Sequence, residues 1–155
     1  MSEYVATIDW VRGDQPFLDN SYSRAHDWRF DGGAVVRGSS APGSVPVPMS
    51  DPTAVDPEEA VVAAASSCHM LFFLAYAAKA GFVVDRYRDE AVAVMGRDAR
   101  GKVAITAITL RPAVTFSGET RPDAAARADL HHRSHDHCYI ANSLRGTVTV
   151  EPRQG

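Results

Sequence analysis

Alternating apolar and polar side chains mark several short strands along the chain. Tyr4 to Trp10 alternate in this way, and so do Ser23 to Phe30, which a glycine turn joins to a short strand from Ala34 to Arg37. A period of two is typical of half-buried strands. Pro112 favours an edge or a bulge within the longest of the later strands. These later strands are predicted over residues 89–95, 102–116 and 146–151.

The signals of a long helix follow the first three strands. Asp56, Pro57 and Glu59 form an N-terminal capping box, and Gly81 is placed to stop the helix at about residue 80. The middle of this helix is alanine and serine, and no charge stands between Glu59 and Lys79. Because a surface helix carries charges on one face, we expect a central helix that is closely packed on most sides.

A second helix is predicted from Pro122 to Cys138, or as far as Asn142. Residues 38–55 are rich in serine, proline and glycine and show no period, which predicts a long loop of the kind that is often functional. The elements therefore run strands, helix, strands, helix, strand. This order predicts a single α+β domain over residues 1–155, with two internal helices and mostly antiparallel sheet.

Composition narrows the class of protein. The 155 residues are 45% hydrophobic and 23% charged, with a net charge of −3, so neither nucleic acid nor an anionic membrane is an expected partner. The apolar region from Ala60 to Phe73 is interrupted by polar residues, and we expect it to be too short to span a bilayer. With no secretory signal visible at the start, the predicted location is the cytoplasm. A structural disulfide between the two cysteines is uncommon there.

Four short segments together resemble one known family. Asp-Pro-Glu-Glu at 56–59, Ala-Ala-Ala-Ser-Ser-Cys-His-Met at 63–70, His-Asp-His-Cys at 135–138 and Ala-Asn-Ser at 141–143 resemble the OsmC/Ohr family, named for osmotic induction and organic hydroperoxide resistance. The resemblance runs from about residue 4 to residue 151. It implies an OsmC-like fold, in which antiparallel sheets wrap around two central helices in an intertwined homodimer.

The resemblance also implies roles for individual residues. Cys68 matches the peroxidatic cysteine and Cys138 the resolving cysteine, while Glu58 matches the glutamate that orients an active-site arginine, for which Arg24 is the best match. Glu58 and Cys68 lie ten residues apart on one helix, about 15 Å of rise, so a shared site needs Glu58 from a second subunit.

The implied activity is the reduction of organic hydroperoxides to alcohols. The reaction passes through a Cys68 sulfenic acid and then a Cys68–Cys138 disulfide. An external dithiol, for which the family suggests a lipoyl protein, reduces this disulfide to two thiols. We expect no cofactor and no metal. Three apolar side chains near the cysteines are expected to favour bulky substrates: Phe72, Phe73 and Tyr139.

Three other functions stay open at this stage. His131, His135 and Cys138 share one helix face and, with Cys68, are candidate zinc ligands of a non-enzymatic or redox-sensing protein. A cysteine–histidine hydrolase is disfavoured, because a nucleophile in mid-helix has no free backbone donors beside it. A small apolar ligand is a third possibility. The chain also departs from the common family pattern, with His69 after Cys68 and Tyr139, not proline, after Cys138.

Overall fold

The computed structural model describes residues 1–154. They form two compact units, Met1–Ala60 and a second that begins at Val61. The single domain predicted over residues 1–155 stays a prediction. Within the described residues there are eight strands and three helices, in the order β1 (Ala6–Asp9), β2 (His26–Phe30), β3 (Val35–Gly38), α1 (Pro57–Lys79), β4 (Val83–Asp89), β5 (Val92–Arg97), β6 (Val103–Leu110), β7 (Pro112–Ser117), α2 (Ala124–His137), α3 (Tyr139–Ser143) and β8 (Thr147–Val150).

The first unit is built on an antiparallel sheet in the order β1-β2-β3. Trp28 is the central side chain, since it lies opposite Ile8 on one side and Val36 on the other. Its indole Nε1 donates to Nε2 of His26 at 2.7 Å. Gly38 makes this contact possible, because a Cβ at that position would stand 2.5 Å from the indole nitrogen. The predicted loop after β3 is confirmed, with Ser39 N bonded to the carbonyl of Val55 at 3.0 Å.

The second unit contains two sheets, an antiparallel pair β4-β7 and a three-stranded sheet β5-β6-β8. The prediction of mostly antiparallel sheet is confirmed, although β8 runs parallel to β6, with Val148 beside Ile108. Two apolar clusters form the core of this unit. One gathers Phe73, Ala77, Val114, Phe116 and Leu130, and the other gathers Ala65, Ile108 and Leu110.

Two strand predictions were wrong in their bounds. The predicted strand over 102–116 is two strands, and the predicted strand over 89–95 is preceded by β4, which the alternation did not reveal. Asp89 explains both breaks. Its carboxylate accepts from the backbone N of Arg111 at 2.6 Å and from Ser66 Oγ at 2.5 Å, so it fixes a corner beside Pro112, which has no N–H to continue a ladder.

The ends of α1 are as the sequence predicts. Glu59 N donates to Asp56 Oδ1 at 2.7 Å, and Asp56 N donates to Glu59 Oε2 at 3.2 Å, which is a reciprocal capping box. Gly81 follows the helix with φ of +80°, a conformation that glycine adopts without steric cost. With 23 residues, α1 is long and apolar enough to cross a bilayer by length and composition alone, so the expectation of a shorter apolar segment was wrong.

Burial of α1 is confined to one stripe. Ala65, His69, Phe73 and Ala77, each four residues from the next, are its buried residues. The opposite face is exposed and carries small side chains around Leu71, which is 61% exposed. The expected packing on most sides is therefore wrong for the single chain. The exposed small residues of this face are Ala63, Ala64, Ser67, Ala75 and Ala78.

Candidate functional site

The two cysteines lie close together although seventy positions separate them. Cys68 is on α1 and half-buried, whereas Cys138 is only 1% exposed. Burial raises the pKa of the Cys138 thiol, and the neighbouring Cys68 thiol raises the pKa further. Both are free thiols. The fold therefore places two reduced sulfurs side by side and keeps one of them protonated and shielded from water.

A break between two helices positions Cys138. The residue ends α2 and caps α3, with φ of −65° and ψ of 107°. The predicted end of the second helix at Cys138 is therefore confirmed, and the alternative of a continuous helix to Asn142 is wrong. Its sulfur accepts a hydrogen bond from Ala141 N at 3.4 Å, and its thiol donates to the carbonyl of Ala65 at 3.9 Å. A side chain that bonds to the next helical turn competes with continuation of the helix, which explains the break.

Arg24 is held within the first unit by an aromatic ring and an asparagine. Its guanidinium lies 3.8 Å from the centre of the Tyr22 ring. Nη2 donates to Asn20 Oδ1 at 2.6 Å, and Nη1 donates to the carbonyls of Asn20, at 3.0 Å, and Tyr22. Arg24 also lines a cavity of about 480 Å³ with the rings of Trp10 and Phe17. The arginine is thus oriented beside a mainly apolar cavity.

Glu58 lies in the first turn of α1 and is half-buried. Within residues 1–154 of one chain, no ion pair joins it to Arg24. The expected Arg24–Glu58 pair stays a prediction, and the single chain does not form it.

The sequence places His26 on the same face as Arg24 but does not indicate the hydrogen bond between them. Nδ1 of His26 lies 2.7 Å from the carbonyl of Arg24, and its Nε2 accepts from Trp28. The indole N–H can only donate, so Nε2 of His26 is the acceptor and carries no proton. Nδ1 of His26 therefore carries the proton and donates to the carbonyl of Arg24. Arg24, His26 and Trp28 alternate along the chain, and this alternation, which continues from the residues before β2 into the strand, is the signal that connects them.

A buried pair of histidines lies next to Cys68 in sequence. His69 is 0% exposed, and its Nε2 is 3.1 Å from Nδ1 of His131. The rings are nearly parallel, with centroids 5.4 Å apart. Burial lowers the pKa of both imidazoles to about 4, so both are neutral at pH 7. Nδ1 of His69 is buried and has no partner within residues 1–154.

The proposed zinc ligands do not assemble into a metal site. Among residues 1–154, no group of three or more histidine, cysteine, aspartate or glutamate side chains is placed to hold a metal ion. His131 bonds to His69, and the Cys138 sulfur bonds to backbone groups of Ala65 and Ala141.

The three predicted substrate-binding side chains separate into two groups. The rings of Phe72 and Tyr139 meet edge to face at 5.1 Å, and Tyr139 is 70% exposed. Phe73 is fully buried and packs on Phe116 and His131. Consecutive helical residues point about 100° apart, so Phe72 and Phe73 face different surroundings. Contact of all three with a substrate stays a prediction.

Comparison with known proteins identifies the family. The model of the OsmC family, described as OsmC-like protein, matches residues 50–153, which is more than half of the chain. The chain belongs to the OsmC-like family. The resemblance found in the sequence is therefore confirmed. No curated protein matches this OsmC-like chain.

Solved structures show the same OsmC-like fold. An OsmC-like protein of unknown function from Vibrio cholerae is 48% identical, with a TM-score of 0.97 over 99% of this chain and 100% of that one. The organic hydroperoxide resistance protein OhrB of Bacillus subtilis is 17% identical, with a TM-score of 0.67 over 99% and 98% of the two chains. An organic hydroperoxide resistance protein OsmC from Legionella pneumophila is 13% identical, with a TM-score of 0.66 over 98% and 96%. At such low identity, the last two show only the shared fold.

Proposed function

We propose that this OsmC-like protein is a thiol peroxidase that reduces organic hydroperoxides to alcohols. One observation carries the proposal: the free thiols of Cys68 and Cys138 are neighbours, and only the first is accessible. Family membership supports a role in peroxide resistance, because organic hydroperoxide resistance proteins share the fold. The two neighbouring sulfurs support the proposed mechanism, and the substrate class follows from the resemblance to organic hydroperoxide resistance proteins.

Exposure assigns different roles to the two cysteines. Cys68 is half-buried and accessible to a peroxide, so we propose that Cys68 is the cysteine that attacks the peroxide. Its thiolate forms a bond to one peroxide oxygen while the O–O bond breaks, and the departing alkoxide takes a proton to become the alcohol. The sulfur is oxidised to sulfenic acid, and the peroxide is reduced by two electrons.

Cys138 is suited to the second step. Its buried thiol has a raised pKa, which makes it a poor nucleophile toward a peroxide in solution but leaves it beside the oxidised Cys68. Attack of the Cys138 sulfur on the sulfenic sulfur forms the disulfide and releases water. An external dithiol, such as a protein-bound lipoyl group, then reduces the disulfide by exchange and is itself oxidised.

Arg24 is proposed to stabilise the Cys68 thiolate and to orient the peroxide. Its fixed charge and planar fork suit both tasks, and Asn20 and Tyr22 already hold the guanidinium in one orientation. Glu58 is proposed to come from a second subunit, because about 15 Å of helix separates it from Cys68 of its own chain.

The proposed assembly is a homodimer. The exposed face of α1 supports it, because small side chains there permit two helices to approach closely. Leu71, 61% exposed at the middle of this face, is an apolar side chain that such a contact would bury.

Mass spectrometry of the oxidised protein tests the proposal. Reduced protein is mixed with one equivalent of cumene hydroperoxide, digested without reductant and analysed for a peptide pair joined through Cys68 and Cys138. We expect that pair, together with one equivalent of cumyl alcohol. Cys138→Ser is the matched control, in which a sulfenic acid on Cys68 is expected to react with dimedone. Two free thiols and unconsumed peroxide would contradict the proposed function.

A further inference from the structure

A second cavity, of about 230 Å³, lies in the second unit between β7, α2 and the residues after β8. Its walls are largely apolar and include Val114 and Phe116, while the small side chains of Ala124 and Ala128 leave the space open. The volume is below the roughly 300–1,000 Å³ of clefts that hold drug-sized ligands, so a matching ligand is small.

The charged residues that line this cavity are all of one sign. Arg127 and Arg153 line it, and no aspartate or glutamate does. Nε of Arg127 donates to the carbonyl of Pro122 at 3.2 Å, and its guanidinium lies 5.1 Å from the centre of the Phe116 ring. This leaves both terminal nitrogens of Arg127 without a protein partner in residues 1–154. The cavity therefore offers an oriented, unneutralised guanidinium above an apolar floor.

The backbone around Arg153 is fixed, so this wall is preformed. Arg153 N donates to the carbonyl of Pro112 at 2.9 Å, which ties the residues after β8 to the start of β7. One guanidinium nitrogen of Arg153 contacts Glu90 at 3.2 Å, and both side chains are about half exposed. Arg153 adds positive potential to the cavity but is partly neutralised by that pair, so Arg127 is the stronger anion ligand.

His131 supplies a polar group in the wall of the same cavity. The residue is 7% exposed, its Nδ1 is engaged by His69, and its Nε2 has no protein partner within residues 1–154. If His69 donated from Nδ1, a fully buried N–H would have no acceptor, which is costly. The favoured tautomer has Nε2–H of His69 donating to His131, which leaves Nε2–H of His131 as a free donor.

Arg127 and His131 are four residues apart on α2, so their side chains lie on the same helix face, one turn apart. We propose that this cavity binds a small apolar monocarboxylate. Its carboxylate accepts from the terminal nitrogens of Arg127 and from Nε2–H of His131, and its hydrocarbon part lies against Val114 and Phe116. This site goes beyond the peroxidase proposal and uses none of its catalytic residues, although Phe73, a predicted substrate contact there, also lines the cavity.

Calorimetric titration of the reduced, full-length protein with octanoate at pH 7 tests the proposal. Octan-1-ol and octylammonium are the matched probes, because they keep the hydrocarbon chain and change the charge of the head group. We expect saturable binding of octanoate, binding of the alcohol weaker by about tenfold or more, and none of the cation.

Two variants locate the site. Ala128→Phe places a ring in the cavity from an exposed helix position and is expected to abolish octanoate binding. Ala125→Phe, exposed on the same helix but outside the cavity, is its control and is expected to bind octanoate normally. Arg127→Gln is expected to weaken binding about tenfold, through loss of a charge-assisted hydrogen bond, whereas Arg145→Gln, an exposed arginine elsewhere, leaves it unchanged.

Four results would overturn the inference. Two concern the wild type: absence of saturable octanoate binding, and equal affinity for octanoate and octan-1-ol. Two concern Ala128→Phe: normal octanoate binding, and a smaller oligomer for this variant alone. A smaller oligomer would mean that a second copy of the chain covers the cavity. Thermal unfolding of each variant identifies any loss of fold, and Arg127→Gln keeps the test valid if Ala128→Phe does not fold. Disulfide formation is measured separately, so failure of either proposal leaves the other intact.

Discussion

Nε2 of His69 lies 3.1 Å from Nδ1 of His131, and this hydrogen bond joins α1 to α2 inside the second unit. The two rings stack on each other, and His131 also packs on Phe73, with ring centroids 4.5 Å apart. The fold therefore buries two neutral imidazoles next to each other. Their protonation would place two positive charges in contact within an apolar core.

We expect the free energy of unfolding to fall as the pH drops from about 6.5 to about 4. Burial, with a smaller contribution from the nearby imidazoles, lowers the pKa of His69 to about 4. Burial also lowers the pKa of His131 to about 4, against the opposing charge of Asp89. In the unfolded chain both titrate near 6.5, so the unfolded state binds more protons in this window. Each histidine lowers the free energy of unfolding by at most about 3 kcal/mol across this pH window.

Urea unfolding at a series of pH values measures this effect. His131→Gln is expected to have a flatter dependence on pH than the wild type, whatever its stability at pH 7. His132→Gln, at an exposed neighbouring position, is the control and should follow the wild-type curve. An unchanged pH dependence in His131→Gln would show that the buried pair is not the source.

We expect Cys138→Ser to separate the two steps of the proposed reaction. The first oxidation by cumene hydroperoxide should keep its rate, whereas turnover driven by dihydrolipoamide should fall at least about tenfold for lack of the disulfide. Serine can still accept the bond from Ala141 N that caps α3, so the variant isolates the redox role. Stopped-flow oxidation and steady-state turnover measure the two steps. Wild-type turnover in the variant would exclude Cys138 as the resolving cysteine.

Arg24→Lys is expected to slow oxidation of Cys68 by about 10- to 100-fold. Lysine keeps the charge but loses both the planar fork and the stacking on Tyr22. Arg29→Lys, an exposed residue of β2 that pairs with Asp27 at 2.9 Å, is the matched control and should oxidise at the wild-type rate. The second-order rate constant with cumene hydroperoxide is the quantity to compare. Equal rates in the two variants would remove Arg24 from the proposed site.

Ala64→Glu tests the proposed homodimer. The residue lies on the exposed face of α1, and a pair of facing carboxylates there would repel and lose solvation. We expect the variant to sediment as a monomer and to react slowly with peroxide, whereas Ala125→Glu on α2 should behave like the wild type. A wild-type protein that is already monomeric at micromolar concentration would refute the assembly.

Local signals predicted most of the secondary structure, and contacts between distant residues decided the rest. The capping box of Asp56 and Glu59 and the stop at Gly81 are contained in neighbouring residues, so the bounds of α1 were accessible from sequence. Asp89 breaks strands by binding a backbone group 22 positions away, which no periodicity reveals. The break at Cys138 depends on its sulfur.

Of the candidate site, too, the sequence predicted one part, and contacts between distant residues determine the rest. The pairing of Cys68 with Cys138 came from resemblance to a family, because seventy intervening residues hide it from any local pattern. The histidine pair was missed, since His69 and His131 lie on different helices and neither has a spacing that indicates the other. His26 was predictable only as a strand residue on the same face as Arg24.

The parallel pairing of β8 with β6 sets an order of events during synthesis. Residues 107–110 of the inner strand align with 147–150, so one side of β6 has no partner until residue 150 has left the ribosome. Val148 and Val150 also cover the cluster around Ile108 and Leu110. A nascent chain halted before Thr147 would carry an unpaired apolar strand edge, the kind of surface that chaperones bind and that pairs wrongly with other chains.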